Sequence, residues 1–493
     1  MESGSPIVPG TSGRRGATRW ARLAVLVGLI LVATLALLLS RLPPGLTRGV
    51  WLSAAGPSAE APEQLVLVFE DTRGLVSGTV HQLRAGKQVL QWGFAGTRPG
   101  SDSLEISWGN DVTFRGAADL RQGTLSGRIL MPDGNSHNVL FKRTTAEEVP
   151  GFLAQPELPY QLRPPPTGSG WEIAAPAEVG IDPRHLERTI QALTRGDAGL
   201  LHSLVLTRYG KLVAEEYFHG YSRQDLHETQ SATKSVVSLL IGIALDQGFV
   251  ESLDEPVLDY FPEYADGATP GWEQVTLRHL LTMTAGVDWS PREVFAAHGA
   301  GPPLFRKVLS RQVIHAPGSK WLYNGADLNL LAGVIFQATG MQADEFAARS
   351  LLEPLGITTW DWELGKTDGY PSLAGTLALR PLDMAKIGQL VLDEGRWQGE
   401  QLVSKEWIAE STATTSASRK EGQRHGYLWW QTNAPLDSGH STVILASGWG
   451  SQFIHVVPDL YSVAATTGGN HFNNKNYAIG EVLVRRLLPG VEP

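Results

Sequence analysis

Hydrophobic positions follow different rhythms in successive parts of the chain. From Leu23 to Ser40 they are continuous: LAVLVGLILVATLALLLS, 18 residues without a charge. A helix of that length rises about 27 Å, enough to cross a bilayer core. From Gln64 to Arg143, apolar and polar positions alternate in short runs such as LVLVFE, QVLQWGF, SLEISW and TLSGRIL, broken by Gly, Asn, Asp and Pro. That pattern predicts a small all-β sandwich or barrel over residues 63–145. Residues 41–62 are rich in Pro, Gly, Ala and Ser and read as a stalk. Residues 146–170 include six prolines and read as a semi-rigid linker.

Residues 171–493 mix both periods. Helices are expected over about Pro183–Thr194 and Tyr477–Leu488, and SLVLTRYGKLVAEEYF reads as a hairpin turning on Tyr209-Gly210. Strand-like runs return at TVILAS, SQFIHVVPD and YSVAATTG, after a long helix-rich middle. Strands at both ends with helices between predict an α+β fold. It would be one antiparallel sheet flanked by helices, with a helical subdomain inserted. Within Ser235–Leu245, apolar residues occupy every face of the helix, which places that helix in a core.

Charge and composition then narrow the chemistry. Residues 1–48 carry a net charge of about +5 and the rest about −14. So acidic a body lacks the basic footprint that nucleic acid requires. Arg14, Arg15, Arg19 and Arg22 precede the apolar run, so the positive-inside rule puts residues 1–22 in the cytoplasm. Residues 23–40 are then a single-pass anchor in the cell (inner) membrane, with the body periplasmic or extracellular. A cleaved signal peptide is the alternative. There is no cysteine, which excludes disulfides and thiolate chemistry. No two of the 13 histidines lie within four positions, and no G-x-S-x-G elbow occurs. Metal hydrolysis by H-E-x-x-H and an α/β-hydrolase triad are therefore not expected, and neither metal nor cofactor is called for.

One pair of side chains carries candidate chemistry. Ser231 opens the all-apolar helix and Lys234 follows one turn later on the same face. Burial disfavours the charged form of an amine, and a neutral amine there can take the proton of a serine hydroxyl. The spacing alone is weak, since chance supplies about one such match and an N-cap serine before a solvated lysine satisfies it equally.

Context supplies what spacing does not. The blocks SATKSVVSLLIGIALDQG, VTLRHLLTMTAGVDW, PGSKWLYNGADLNLLAGVIFQATG, AGTLALRPLDMAKIGQLVLDEGRWQGEQLVSKEWI and ASGWGSQFIHVVPDL run in order through the chain. Over about residues 175–488 it resembles the serine β-lactamase-related hydrolases, the class C β-lactamase and D-alanyl-D-alanine carboxypeptidase superfamily. Several blocks are most similar to 6-aminohexanoate-dimer hydrolase-like members. The resemblance implies a β-lactamase/transpeptidase-like fold, with Ser231 as nucleophile, Lys234 as base and Tyr323 as acid/base.

The family's Tyr-x-Asn motif has Asn324 in its middle and Gly325 in place of its asparagine. The third motif, Lys-Thr-Gly or His-x-Gly, is Ala446-Ser447-Gly448. The resemblance also implies an oxyanion hole from the Ser231 and Trp449 N–H groups, with Ser447, Gly448 and Asn324 as further substrate contacts. Without a cation at position 446, β-lactams give way to a small-molecule ester, amide or peptide as substrate. Trp321, Trp429, Trp430 and Trp449 are candidates to wall an acyl pocket. Two alternatives stand beside the hydrolase: a silent envelope binding or sensing module, and a D-alanyl-D-alanine peptidase acting on cell wall.

Overall fold

The computed structural model describes residues 49–53, 63–72, 75–84, 87–97, 103–108, 112–119, 122–131, 136–144, 160–288, 304–362, 369–417, 423–436, 439–471 and 491. The apolar segment Leu23–Ser40 and the expected helix Tyr477–Leu488 lie outside them. Among the described residues, no helix is long and apolar enough to cross a membrane. The chain divides into two compact units, one before and one after about residue 150.

The first unit is a closed barrel of eight antiparallel strands. Alternation points every second residue inward, and an eight-stranded barrel is just wide enough for side chains to fill. Trp51, Leu67, Val80, Ile106, Phe114, Leu125 and Phe141 do so, all fully buried. The Phe114 and Phe141 rings meet edge to face at 5.7 Å. The stalk expectation needs correction here. Gly49–Ser53 is the first barrel strand, paired with Glu63–Thr72 on one side and with Ser136–Thr144 on the other. Five residues among prolines and glycines are too few to show alternation, yet Trp51 is a centre of the barrel core.

The second unit holds a nine-stranded sheet. Its order is Ser416–Ala417, Arg424–His425, Trp430–Leu436, Gly439–Gly448, Gln452–Val457, Ser462–Gly468, Leu201–Arg208, Lys211–Tyr217 and Glu172–Ile173. Every described pairing is antiparallel except the last, where Lys211–Tyr217 and Glu172–Ile173 run parallel. The pairing of Leu201–Arg208 with Ser462–Gly468 joins the two ends of the unit, as the strand runs at both ends predicted.

Alternation splits the sheet between two cores. Leu204, Leu206, Phe453 and Val457 pack on one side with the Pro183–Thr194 helix, through Leu186, Ile190 and Leu193. Val205, Ile454, Val456 and Val463 pack on the other, with the helices Thr233–Asp246 and Pro381–Leu392. Thr233 to Ala244 are buried without exception, so the all-apolar helix is the centre of the larger core.

The proline-rich segment is also not a free linker along its described part. Tyr160 and Leu162 pack on the sheet core, and the Tyr160 hydroxyl donates to Glu216. Arg223 donates to the carbonyls of Thr167 at 2.9 Å and Pro166 at 2.7 Å. Prolines offer no N–H donors of their own, so the Pro166 and Thr167 carbonyls accept from a side chain of the domain they lie on.

Candidate active site

The nucleophile candidate is carried by a strained turn. Ser231 lies in the 3-10 turn Gln230–Ala232, just ahead of the Thr233–Asp246 helix and not within it. Gln230 holds a left-handed φ of 50°. Such a conformation costs a non-glycine residue about 1–3 kcal/mol and survives only where its surroundings fix it. Thr229 does the fixing. Its N–H and Oγ1 both bond the Leu377 carbonyl, at 2.8 and 2.9 Å, and Oγ1 also lies 2.9 Å from Thr233 Oγ1. A small sheet of His227–Glu228, Leu377–Leu379 and Trp360–Trp362 sets this up.

Lys234 points back along its helix to Ser231, as Cβ vectors tilted toward the N-terminus require. It is 4% exposed, and Nζ donates to Ser231 Oγ at 2.9 Å and to the Ala374 carbonyl. A neutral amine fits the same place, accepting the serine proton while still donating to Ala374. A solvated lysine, the other way to satisfy S-x-x-K, does not describe this side chain.

Tyr323 reaches the same spot with its ring. Lys234 Nζ lies 5.5 Å from the ring centroid, and the tyrosine is 45% exposed, at the site's mouth. The ring stacks on Trp430 at 6.2 Å and tilts against Trp321 at the same distance. His425 completes the cluster, with Trp430 at 4.9 Å and Trp321 at 5.6 Å. Burial pushes the His425 imidazole down to about 3, and the Lys234 charge adds to the effect. His425 is thus a neutral wall and not a base at ordinary pH. Of the four tryptophans proposed as a wall, Trp321 and Trp430 stand beside Tyr323. Trp429 is fully buried in the core, and Trp449 packs edge-on against His471 at 5.1 Å.

The third-motif strand, Gly439–Gly448, borders the serine turn. A Cβ on Gly448 would sit 2.1 Å from the Thr229 carbonyl and 3.2 Å from Gln230 Cβ, so only glycine permits this approach. Ala446 faces the same way and is fully buried in the core of the serine helix. Ser447 falls between them in the alternation, so its side chain takes the other face of the sheet. What Ser447 can offer the site is backbone. Trp449 follows at the turn beyond the strand.

Asn324 is 4% exposed, and its Oδ1 accepts from the Ala326 N–H at 2.9 Å. That bond braces its own loop with one of the two lone pairs of the oxygen. Gly325 faces the lysine: a Cβ there would lie 3.8 Å from Lys234 Nζ.

Comparisons with known proteins meet this geometry. The profile of the family described as Beta-lactamase matches residues 186–480. The chain belongs to the beta-lactamase family. The 6-aminohexanoate-dimer hydrolase of Paenarthrobacter ureafaciens is 23% identical over 47% of the chain and 64% of its own length. The ML-236A carboxylate methylbutanoyltransferase of Penicillium citrinum is 30% identical over 27% of the chain and 37% of its own length. The chain therefore spans less than two thirds of either relative. Among solved structures, EstCE1, a hydrolase with promiscuous acyltransferase activity, superposes with a TM-score of 0.50 at 15% identity, covering 61% of this chain and 97% of that one. That likeness extends to the fold, the β-lactamase/transpeptidase-like architecture expected for residues 171–493.

Within this beta-lactamase-family domain, several neighbours of Lys234 were not foreseen. Ala374 takes part only through its carbonyl, which no side-chain pattern announces. Asp327, 3% exposed, opens the 3-10 turn Asp327–Asn329. Burial pushes its carboxyl up to about 7, while the N–H groups of Leu328 and Asp327 and the Lys234 charge pull the other way. Asn329 accepts from the Leu373 N–H at 2.9 Å. Asp327 and Asn329 did carry a signal: two polar residues inside an otherwise apolar run, ADLNLLAGVIF.

Proposed function

We propose that the protein is a serine hydrolase that cleaves an ester or amide through an acyl-enzyme on Ser231. The observation that carries this reading is the buried amine of Lys234, 2.9 Å from Ser231 Oγ. Neutral Lys234 takes the hydroxyl proton, and Oγ attacks the carbonyl carbon. The resulting oxyanion is held by the Ser231 and Trp449 N–H groups; one such donor is worth about 2.7–4 kcal/mol in the transition state. The C–O or C–N bond then breaks, and the leaving group takes the proton back from the Lys234 ammonium by way of Tyr323. Water attacks the acyl-enzyme next, giving up a proton to the same amine and returning it to Oγ. No cofactor enters this cycle.

The substrate lacks the carboxylate that β-lactam readers grip, because Ala446 is buried and uncharged. The Trp321, Tyr323 and Trp430 rings favour an apolar acyl or leaving group. Residues 23–40 anchor the chain in the membrane with the hydrolase outside the cytoplasm, as the arginines ahead of them direct. Purified protein should be labelled by a fluorophosphonate at Ser231, located by intact mass and peptide mapping. It should turn over p-nitrophenyl butyrate with higher kcat/KM than nitrocefin. Absence of both labelling and ester turnover would return the silent-module alternative, and a preference for nitrocefin would overturn the reading of Ala446.

A further inference from the structure

The second motif of this chain lacks its amide where the family has one. Position 325 holds a glycine, where a Cβ would meet Ala374 Cβ at 3.4 Å and Lys234 Cε and Nζ at 3.8 Å. The amine's acceptor is elsewhere, on the Ala374 carbonyl, 140 residues along the chain from Lys234. A backbone carbonyl in a loop is a good acceptor only if the loop is held still.

The Ser372–Gly375 loop is held by side chains. Asn329 Oδ1 accepts from the Leu373 N–H at 2.9 Å and from Ser372 Oγ at 3.5 Å. Trp362 Nε1 donates to the Ser372 carbonyl at 2.9 Å, and Thr376 Oγ1 to the same carbonyl at 3.0 Å. Gly375 then abuts the Gln230 backbone, where a Cβ would meet the Gln230 carbonyl carbon at 3.2 Å. Asn329 itself is 7% exposed, at the end of the 3-10 turn that follows the second motif.

We propose that Asn329 does at second hand what the motif amide at position 325 would do directly: it is a positioning residue that holds the Ala374 carbonyl on Lys234. This rests on the reading of Ser231 and Lys234 as the acylating pair. The amide has moved four residues along the same segment, from contact with the amine to contact with the loop that contacts it. Four groups face the amine: the Ser231 hydroxyl, the Tyr323 ring, the Asp327 carboxyl and the His425 imidazole. Asp327 shares its 3-10 turn with Asn329, so Trp362→Phe, which loosens the same loop from outside that turn, separates the carbonyl's share of any change in the amine's behaviour.

The test compares wild type with Asn329→Ala, Gly325→Asn and the double variant, by kcat/KM on p-nitrophenyl butyrate from pH 5 to 10 and by thermal melting. Asn329→Ala should lose about tenfold or more in plateau kcat/KM through a misplaced base. Its ascending limb should move to lower pH, because a carbonyl acceptor favours the ammonium over the amine. Gly325→Asn in that background should recover most of the rate without recovering the melting temperature. A residue with only a structural role would lower the melting temperature, leave the limb where it is, and gain nothing from Gly325→Asn. That result, or wild-type kcat/KM in Asn329→Ala, overturns the proposal. If Asn329→Ala does not fold, Trp362→Phe removes one bond to the same loop and should show the same limb movement; an unmoved limb refutes the proposal there too. Ser231→Ala separates the two levels: full activity in it sinks the acyl-enzyme reading. A dead Ser231→Ala with an unaffected Asn329→Ala sinks only this inference.

Discussion

Adding one methyl group to Gly448 should disable the site from outside it. The Cβ of Gly448→Ala would start 2.1 Å from the Thr229 carbonyl oxygen and 2.9 Å from Gln452 Cβ, whereas real Cβ contacts essentially never fall below 3.0 Å. The gap must open by about 1 Å. Thr229 cannot retreat cheaply, since three hydrogen bonds of 2.8–2.9 Å tie it to Leu377 and Thr233. The strand must therefore move, taking with it Trp449, the proposed oxyanion donor. Overpacking of this kind costs about 1–3 kcal/mol of stability. A misplacement of about 1 Å between nucleophile and oxyanion donor costs on the order of 100-fold in rate. The assay is kcat/KM on p-nitrophenyl butyrate together with the fluorophosphonate labelling rate, with Ser447→Ala as control. That neighbour's side chain is on the other face of the sheet, so its variant should stay within a few-fold of wild type. If Gly448→Ala kept wild-type turnover and melting temperature, the strand would not border the site as described, and Trp449 could not be an oxyanion donor.

Other outcomes follow from the same geometry. Ser231→Ala and Lys234→Ala should each remove most ester turnover, about 100-fold or more for the base, with circular dichroism unchanged; wild-type turnover in either refutes the mechanism. Tyr323→Phe keeps the ring that stacks on Trp430 and loses only the hydroxyl. It should cut kcat with little change in KM, and an unchanged kcat would leave Lys234 working alone. Asp327 gives a pH signature. Its folded carboxyl is pushed up to about 7, above the unfolded value near 4, so its contribution to stability is full at low pH and is lost as pH rises through about 7. Asp327→Asn should gain on wild type by up to about 4 kcal/mol between pH 4 and pH 8 in urea unfolding. Comparing variant with wild type cancels His425 and His455, which burial pushes down to about 3 and about 4 and which lose stability in the opposite direction, as pH falls below 6.5. A constant difference across that range would show that Asp327 is charged in the fold.

Much of this protein was legible in its residues, for reasons that are local. Period-two alternation marked the barrel strands, and strand runs at both ends of residues 171–493 marked one sheet, because each strand's own faces must match its two surroundings. The all-apolar run after Lys234 marked a helix with no solvent side, and the structure buries it from Thr233 to Ala244. Ser231 and Lys234 are about one turn apart, so the sequence puts them within reach of each other, while the turn that carries Ser231 is held through Thr229 by the distant Leu377 carbonyl. Position 446 could likewise be read as uncharged from its letter alone.

Tertiary structure decided what depends on partners distant in the chain. Gly49–Ser53 is a strand because the barrel closes on it between two others, and nothing within those five residues says so. Residues 160–170 are strapped to the sheet by Arg223 and Glu216, which only the fold brings near. Trp429 and Trp430 are neighbours in sequence, but Trp429 fills the core just ahead of the strand Trp430–Leu436, whereas Trp430, that strand's first residue, lines the site. The acceptor on Lys234 is the carbonyl of Ala374, a group every residue possesses, so no letter at position 374 could have marked it. The sequence determined which side chains could do chemistry; the packing of distant backbone against them determined where that chemistry can happen.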